Sequence, residues 1–214
     1  MATRIRPATA ADADFVAWVI LAASRSQLPL GAWDHYVGAD EASVLAFLHR
    51  MVTQDVRSFC RWESFLVAEV DGVPAAGLSG YASSDPAMAN PEPALVAASR
   101  GFGWTDAQHQ AAGGRLGAFL TCVIEPPPEV WVVEWVATRP AFRRRGLVHD
   151  LLRAILHAGR GRGFARSQIM VFIGNTAARC AYERAGFLVV DEKRDPDFER
   201  LMGCPGIERL LRDL

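Results

Sequence analysis

The chain has 214 residues, of which 50% are hydrophobic and 22% charged, so it can bury a large core and contains no segment that composition alone would leave disordered. Its 23 lysines and arginines and 24 aspartates and glutamates give a net charge of -1, which excludes a general electrostatic attraction for nucleic acid or for an anionic membrane. We therefore expect a single domain over residues 1–214, in which any anion site is local.

In chain order, the first part of the sequence alternates between helical and extended patterns. The periodicity predicts a strand at residues 3–8, a helix from Thr9 to about Ser24, a break at residues 28–34 and a helix from about Glu41 to Gln54. The clearest β signal follows, because residues 65–70 and 73–81 flank Asp71-Gly72, the pair that a tight primed turn needs. We expect a hairpin there.

The second part begins with a segment from about residue 82 to 129 that is rich in Ala, Gly and Pro. It is too long for a simple connection, so it predicts an insertion with its own role and one or two helices. Residues 130–138, VWVVEWVAT, are mostly β-branched and aromatic, which indicates a central strand buried on both faces.

The remaining pattern predicts elements around the same sheet, and hence an α+β fold. These elements are a helix from Leu147 to about Arg160, a strand at residues 167–173, a helix at 177–185 ended by Gly186, and a strand beginning at 187–190. The tail from Cys204 to Leu214 fits either a last strand or a short helix.

The cysteines and the longest apolar stretch bear on the compartment. The four cysteines are widely spaced and form no Cys-x-x-Cys pair, so the sequence predicts neither a zinc site nor a disulfide framework. Residues 15–23 are apolar, but Asp12 and Asp14 precede them and the stretch is too short to span a membrane. A buried amphipathic helix explains this stretch better than a signal peptide does, and we expect a cytoplasmic protein with no membrane partner.

Three consecutive arginines, residues 143–145, separate the predicted central strand from the next helix and adjoin Gly146. Such a junction suits phosphate, since unpaired backbone N–H groups and the helix dipole both favour an anion there. A lone arginine run is more often a solvated helix start, so the context has to decide. The P-loop and dinucleotide-binding glycine patterns are absent, as is the extended basic face that nucleic-acid binding needs.

Two motifs in this context resemble those of the GNAT superfamily of N-acetyltransferases. Residues 143–148, RRRGLV, resemble its acetyl-CoA-binding pattern Gln/Arg-x-x-Gly-x-Gly/Ala, except that Val148 stands where Gly or Ala is usual. Residues 175–187, NTAARCAYERAGF, are similar to its pattern Asn-x-x-Ala-x-x-x-Tyr-x-x-x-Gly-Phe. Two motifs at this separation, each in its predicted structural context, are far more specific than either alone.

The resemblance implies a GNAT fold, with a mixed and mostly antiparallel sheet, a splayed pair of parallel strands, flanking helices, and the insertion at about 82–129 outside the shared part. It implies an N-acetyltransferase that transfers an acetyl group from acetyl-CoA to a primary amine, in our interpretation of a small molecule, by direct attack on the thioester. Acetyl-CoA is then a co-substrate, and without clustered metal ligands no metal is expected. A non-catalytic acyl-CoA-binding module, which Val148 keeps open, and an acetyltransferase of protein N-termini or lysines are the alternatives, and a homodimer stays open.

The resemblance also assigns the cofactor-binding residues. It implies that backbone amides cradle the pyrophosphate at Arg143, Arg144, Arg145, Gly146, Leu147 and Val148. Backbone groups of Val136 and Thr138 would hold the pantetheine arm and polarise the acetyl carbonyl, a task that suits a rigid strand. Asn175 would lie near the pantetheine or position it by side-chain hydrogen bonds.

Tyr182 and Glu134 are the candidate catalytic residues. Tyr182 would protonate the leaving thiolate, although a half-buried helix tyrosine with a satisfied hydroxyl is the alternative. Strand alternation predicts that Glu134 shares a face with Val136 and Thr138, and burial should raise the pKa of its carboxyl, which suits a general base. A partner for a buried arginine, or a water relay in place of a side-chain base, remains open.

The acceptor side is the least defined part of the prediction. Aromatic residues are candidates for a moderately apolar pocket: Trp33, His35, Tyr36, Phe102 and Trp104. Three carboxylates are candidates to attract a cationic amine: Asp34, Asp85 and Asp106. Each of these residues fits a surface or core position equally well.

Overall fold

Seven strands form one sheet in the computed structural model, which describes residues 2–214. The strands are β1 (Thr3–Pro7), β2 (Phe65–Val70), β3 (Val73–Ala82), β4 (Trp131–Thr138), β5 (Arg166–Phe172), β6 (Leu188–Arg194) and β7 (Gly206–Asp213). Their order is β1-β2-β3-β4-β5-β7-β6, so β4 is central as predicted. Every neighbouring pair is antiparallel except β4 with β5, which confirms the predicted fold class.

Helices cover both faces of this sheet. They are α1 (Ala13–Arg25), α2 (Ala32–Val37), α3 (Glu41–Thr53), α4 (Pro86–Ala89), α5 (Glu92–Gly101), α6 (Asp106–Arg115), α7 (Gly117–Leu120), α8 (Leu147–Gly161), α9 (Thr176–Arg184) and α10 (Pro196–Met202). Within residues 2–214, none of them has the length and apolarity needed to cross a membrane.

Four of the helices match the predicted ones, and the others correct the prediction. The sequence predicted α1, α3, α8 and α9, but it indicated a break where α2 forms and did not indicate α10. The insertion contains four short helices, α4 to α7, rather than one or two. The two helices missed outside the insertion, α2 and α10, have six and seven residues, which gives too few turns for a clear helical period.

The turns of the sheet follow the local sequence closely. Asp71 and Gly72 have φ angles of 48° and 83°, as a primed hairpin turn between β2 and β3 requires. The tail forms β7, which pairs with both β5 and β6, so the strand alternative is correct for this segment.

Glycines of β3 and α8 show how closely the two faces are packed. A Cβ on Gly80 would lie 2.7 Å from Ile155 of α8, whereas one on Gly77 would lie 3.2 Å from Val19 of α1. Alternate residues of β3 therefore face α8 or α1. A Cβ on Gly159 of α8 would lie 2.6 Å from the Trp131 ring, so this helix rests directly on β4.

The sheet opens between the two parallel strands. β4 and β5 pair only at Trp131–Ser167, Val132–Gln168 and Val133–Ile169. Beyond Val133, β4 continues along β3 while β5 continues along β7. The predicted splayed pair is therefore present, and backbone groups of β4 that face the opening have no strand partner on that side.

Strand β4 has a bulge close to the point where its pairing with β5 ends. Between the pairs Gly77–Ala137 and Ser79–Glu134, β4 has one residue more than β3. Trp135 lies in this interval with a φ of 55°, an unusual value for a residue with a side chain. The bulge bends β4 where the opening begins.

The bulge also reverses the alternation of β4, which makes one prediction wrong. Glu134 pairs with Ser79 and so shares the face of the sheet that carries α1. Val136 instead packs in the cluster beneath α8, and Thr138 pairs with Ala76 of that same cluster. Glu134 therefore does not share a face with Val136 and Thr138, because an inserted residue moves the following side chains to the other side.

Candidate active site

The N-terminus of α8 forms the first part of the site. A short 3-10 turn, Pro140–Phe142, ends β4, and the chain then takes positive φ angles at Arg144 (62°) and Gly146 (79°) before the helix begins. No side chain caps this helix, and its first backbone bond runs from the Asp150 N–H to the Gly146 carbonyl. The first backbone N–H groups of α8 therefore have no acceptor within the helix and face an open space, since a Cβ on Gly146 would meet no atom within 4 Å.

The arginine side chains of the loop turn partly back onto it. Arg143 donates from Nε to the Thr138 carbonyl at 3.4 Å, and Arg145 donates from Nη2 to the Ala141 carbonyl at 3.2 Å. The Arg145 guanidinium also lies 5.2 Å from the centre of the Phe142 ring. An anion at this loop would therefore meet backbone N–H groups first, with the guanidinium groups around them.

Val148, the departure from the family pattern, occupies a core position. Its side chain is partly buried and packs against the apolar cluster beneath α8, which includes Leu151 and Tyr182. The branched side chain is thus accommodated on the core side of the helix. It does not act as a cap for the first turn.

Tyr182 reaches the opening from α9. It is 6% exposed and packs beside Phe187, with ring centres 6.5 Å apart, and its hydroxyl has no hydrogen-bond partner within residues 2–214. No protein group of these residues accepts from or donates to this hydroxyl, and its role as the proton donor stays a prediction. Burial, and next the negative charge of Glu134, raise the pKa of this phenol, which keeps it protonated.

Glu134 lies on β4 where the parallel pairing ends. Its side chain is partly buried and forms neither a hydrogen bond nor an ion pair within residues 2–214. The alternative that it pairs with a buried arginine is wrong, because no arginine of these residues contacts its carboxylate. Burial raises the pKa of Glu134 to about 7, and its charge in turn raises the pKa values of Tyr182 and Tyr81.

Asn175 has a structural role at the start of α9. Its Oδ1 accepts a hydrogen bond from the Ala178 N–H at 3.1 Å, which caps the helix, and its Nδ2 donates to the Ser26 hydroxyl at 2.5 Å. The residue thereby ties the end of α1 to the loop after β5. Its predicted role beside the pantetheine stays a prediction, with one amide hydrogen left for it.

Three of the aromatic candidates for an acceptor pocket, Tyr36, Phe102 and Trp104, pack in the core around Phe47. Tyr36 packs in the core against Phe47, with ring centres 5.5 Å apart, and its hydroxyl lies 3.0 Å from His109 Nδ1. Phe102 and Trp104 pack around the same Phe47 ring. These residues join the insertion to α2 and α3.

The candidate acceptor carboxylates are also engaged elsewhere. Asp34 is buried and receives two hydrogen bonds from Arg25, at 2.6 and 2.9 Å. Asp85 caps α4 and pairs with Arg57, and Asp106 is an exposed residue in the first turn of α6.

The side chains near Glu134 include a stacked aromatic group, of which the sequence analysis had named only Trp33. Phe59 stacks on Tyr81 with ring centres 4.9 Å apart and on Trp135 at 6.0 Å, and Trp135 also contacts Trp33 at 6.1 Å. Alternation in β3 could have placed Tyr81 here. Phe59 comes from the irregular segment before β2 and carried no signal.

Two open grooves lie elsewhere on the molecule. An open groove of about 480 Å³ between α8 and α9 is lined by His149, Arg153, Arg184 and Arg212 among others, and it adjoins the basic end of the site. Another, of about 640 Å³, lies between α1 and α3 and contains none of the predicted site residues. Within residues 2–214, no group of three or more His, Cys, Asp or Glu side chains is placed to hold a metal ion.

The family comparison agrees with this arrangement of elements. The model of the acetyltransferase (GNAT) family matches residues 41–187, a range that contains both motifs and also spans the insertion. None of the curated proteins matches the chain.

Solved structures show the same fold at low sequence identity. A crystal structure of an acetyltransferase is 20% identical, with 98% of each chain covered and a TM-score of 0.70. An N-acetyltransferase from Staphylococcus aureus Mu50 is 20% identical, with 97% of this chain and 99% of the other covered and a TM-score of 0.66. The ribosomal-protein-S18-alanine N-acetyltransferase from Escherichia coli is 13% identical, with 99% and 94% covered and a TM-score of 0.53.

Proposed function

Because the chain belongs to the acetyltransferase (GNAT) family, we propose that it transfers an acetyl group from acetyl-CoA to a primary amine of a small molecule. The observation that carries the proposal is the convergence of three features at one opening in the sheet. These features are the uncapped N-terminus of α8, the unpartnered Tyr182 hydroxyl and the unpaired Glu134 carboxylate.

The α8 loop and β4 would hold the acetyl-CoA. Backbone N–H groups of residues 143–148 suit the pyrophosphate, because they combine unpaired donors with the positive end of the helix dipole. Backbone groups of Val136 and Thr138 suit the pantetheine arm and the acetyl carbonyl, since β4 has no partner strand on the side of the opening beyond Val133. A rigid strand keeps such donors preorganised.

Glu134 and Tyr182 would handle the protons of the reaction. Glu134 takes one proton from the ammonium group, and the neutral amine then attacks the carbonyl carbon of the thioester. The carbon–sulfur bond breaks as Tyr182 donates its proton to the sulfur, and the second proton lost by the nitrogen restores the Tyr182 hydroxyl. Glu134 releases its proton to solvent, so the products are the amide, free CoA and one proton.

The surroundings of Glu134 support a small acceptor. The carboxylate is partly buried and lies beside the stacked rings of Phe59, Tyr81 and Trp135. A slender amine reaches such a recess at a lower cost than a folded protein surface does.

The test is thiol release from acetyl-CoA with a panel of primary amines, including amino-terminal and lysine peptides. We expect turnover with at least one small amine and weaker turnover with the peptides. Binding of CoA without turnover on any amine would contradict the enzyme and favour the non-catalytic module. Loss of CoA binding altogether would contradict both.

A further inference from the structure

Some buried polar side-chain atoms without a partner lie on the face of the sheet that carries Glu134. The Ser79 hydroxyl and both polar atoms of the Gln168 amide have no hydrogen-bond partner within residues 2–214. Ser79 is 0% exposed and Gln168 is 1% exposed. Unpartnered groups at such depth are uncommon in native proteins, and each one calls for an explanation.

The strand register places Ser79 nearest to the carboxylate. Ser79 of β3 is the direct cross-strand partner of Glu134, and antiparallel partners hold their Cβ atoms about 4.5 to 5.5 Å apart on the same face of the sheet. The next pair on this face is Tyr81 with Val132, one step further from the opening. Because β3 is paired on both sides, by β2 and β4, Ser79 cannot turn to the other face.

The other groups around Glu134 leave its negative charge without a cation. Cys60, from the segment before β2, Tyr81 of β3 and Tyr182 of α9 each feel the charge of Glu134. All of them are neutral donors at physiological pH, and no lysine or arginine of residues 2–214 pairs with the carboxylate. Neutral hydrogen-bond donors are therefore the protein groups of these residues that can stabilise the ionised form of Glu134.

We propose that Ser79 is a positioning residue for Glu134: its hydroxyl donates a hydrogen bond to the carboxylate, directly or through one water molecule, when Glu134 is ionised. This bond orients the carboxylate toward the opening and lowers its proton affinity relative to a site without the hydroxyl. The inference rests on the proposed function in assigning the base to Glu134, while the pairing of the two residues across the strands rests on the register alone.

The direction of the expected change in the Glu134 pKa depends on which form of the carboxyl group the Ser79 hydroxyl stabilises. Donation to the carboxylate favours the charged form, so removal of the hydroxyl makes Glu134 harder to ionise. In Ser79→Ala we expect the pKa of Glu134 to rise by about one pH unit, because a hydrogen bond to a charged group is worth about that much. Ser79→Thr keeps a hydroxyl and should stay close to the wild type.

The experiment is an NMR titration of protein labelled with ¹³C at the glutamate side-chain carboxyls. The Glu134 signal is assigned by its loss in Glu134→Gln. The matched control is Ser167→Ala, since Ser167 is also a fully buried serine in the sheet, but its hydroxyl donates to the Trp131 carbonyl at 2.7 Å. The proposal predicts that the titration midpoint of Glu134 rises in Ser79→Ala and not in Ser167→Ala. If the midpoint shifts no more in Ser79→Ala than in Ser167→Ala, the proposal is overturned.

This titration needs no substrate, so it separates the inference from the proposed function. A wild-type protein that fails to acetylate any amine contradicts the function, while the midpoint of Glu134 still decides the role of Ser79. If the enzyme is active, the rising limb of kcat/KM against pH should move in Ser79→Ala by the same interval as the NMR midpoint. A merely structural serine would change stability and leave both midpoints in place.

Discussion

Glu134 and Tyr182 enter the same opening from different elements, and burial acts on them in complementary ways. Desolvation disfavours the charged form of both groups, so Glu134 can hold a proton near neutral pH while Tyr182 retains its own. A base and an acid that are both uncharged after the first proton transfer suit a site in which no lysine or arginine of residues 2–214 pairs with Glu134. The pair therefore gives the most direct tests of the proposed chemistry.

Removal of the Tyr182 hydroxyl should affect the chemical step. We expect Tyr182→Phe to lower kcat by about 100-fold and to leave acetyl-CoA affinity within about twofold, because only the proton donor is lost. Steady-state kinetics and calorimetric titration measure the two quantities. The control is Tyr36→Phe, which removes a buried hydroxyl that contacts His109 instead of the opening. Equal losses of kcat in the two variants would contradict the assignment.

Glu134 should impose a pH dependence on the rate. A base works only when it is deprotonated, so kcat/KM should rise with pH and level off above the Glu134 pKa of about 7. Glu134→Gln should lose this rising limb and at least about 100-fold in kcat/KM at pH 8. A limb that persists in the variant would favour a water relay with a different titrating group.

Sequence motifs could identify some of these residues and not others. Tyr182 and Gly146 were predictable because each belongs to a spaced pattern within a recognisable element. The face of Glu134 was not, since the bulge at Trp135 has no signature in a run of β-branched and aromatic residues. The proposed role of Ser79 could not be predicted for a related reason. A role for a strand serine can be inferred only when its cross-strand partner is known, and that partner depends on the register.

Helix α8 connects the proposed phosphate site to the sheet, and glycines near its two ends are required for different reasons. Gly146 at the start needs its positive φ, whereas Gly159 near the end needs the absence of a side chain against Trp131. The first requirement belongs to binding and the second to stability. The two can therefore be tested separately.

The loop backbone should matter more for binding than the arginine side chains do. We expect Gly146→Ala to weaken acetyl-CoA binding by about tenfold, because an L residue at a φ of 79° is strained and shifts the amides of the loop. Arg143→Ala, which removes one solvated charge, should weaken binding by only about threefold. The opposite order in calorimetric titrations would indicate a site built from side chains.

The close contact between α8 and β4 should make the protein sensitive to a side chain at position 159. A side chain at position 161 of the same helix should be tolerated. A Cβ at Gly159 would meet the Trp131 ring at 2.6 Å, so Gly159→Ala should lower the free energy of unfolding by about 2 kcal/mol. Gly161→Ala in the same helix meets no atom within 4 Å and should change it by less than about 0.5 kcal/mol. Urea denaturation measures both, and equal effects would contradict the close helix–sheet contact.

The elements that sequence reasoning missed are those with weak periodicity. Helix α2 has six residues and follows Gly31 in a stretch that otherwise indicates a break. The helices of the insertion are short and rich in Ala and Gly, so they form through packing. Arg115 of α6, for example, donates to the carbonyls of His35 and Val37 at the end of α2. Such contacts depend on distant parts of the chain that a local pattern does not contain.

The molecule as a whole combines a sheet that opens at its centre with helical layers that close around it. Local hairpin and buried-strand patterns predicted the central strand and one sheet, and the resemblance to the family implied that this sheet is mixed. The sequence could not predict the strand order, in which β7 lies between β5 and β6, since that order depends on which edges remain free after folding. The opening itself arises because β4 and β5 share only three paired positions.

The central claim is that acetyl-CoA binds in this opening, with its pyrophosphate on the start of α8. A crystal structure of the protein with CoA tests it most directly. We predict the pyrophosphate within hydrogen-bond distance of backbone N–H groups of residues 143–148 and the thiol between β4 and β5, close to the Tyr182 hydroxyl. CoA bound elsewhere, such as in the groove between α1 and α3, with the opening empty, would contradict the account.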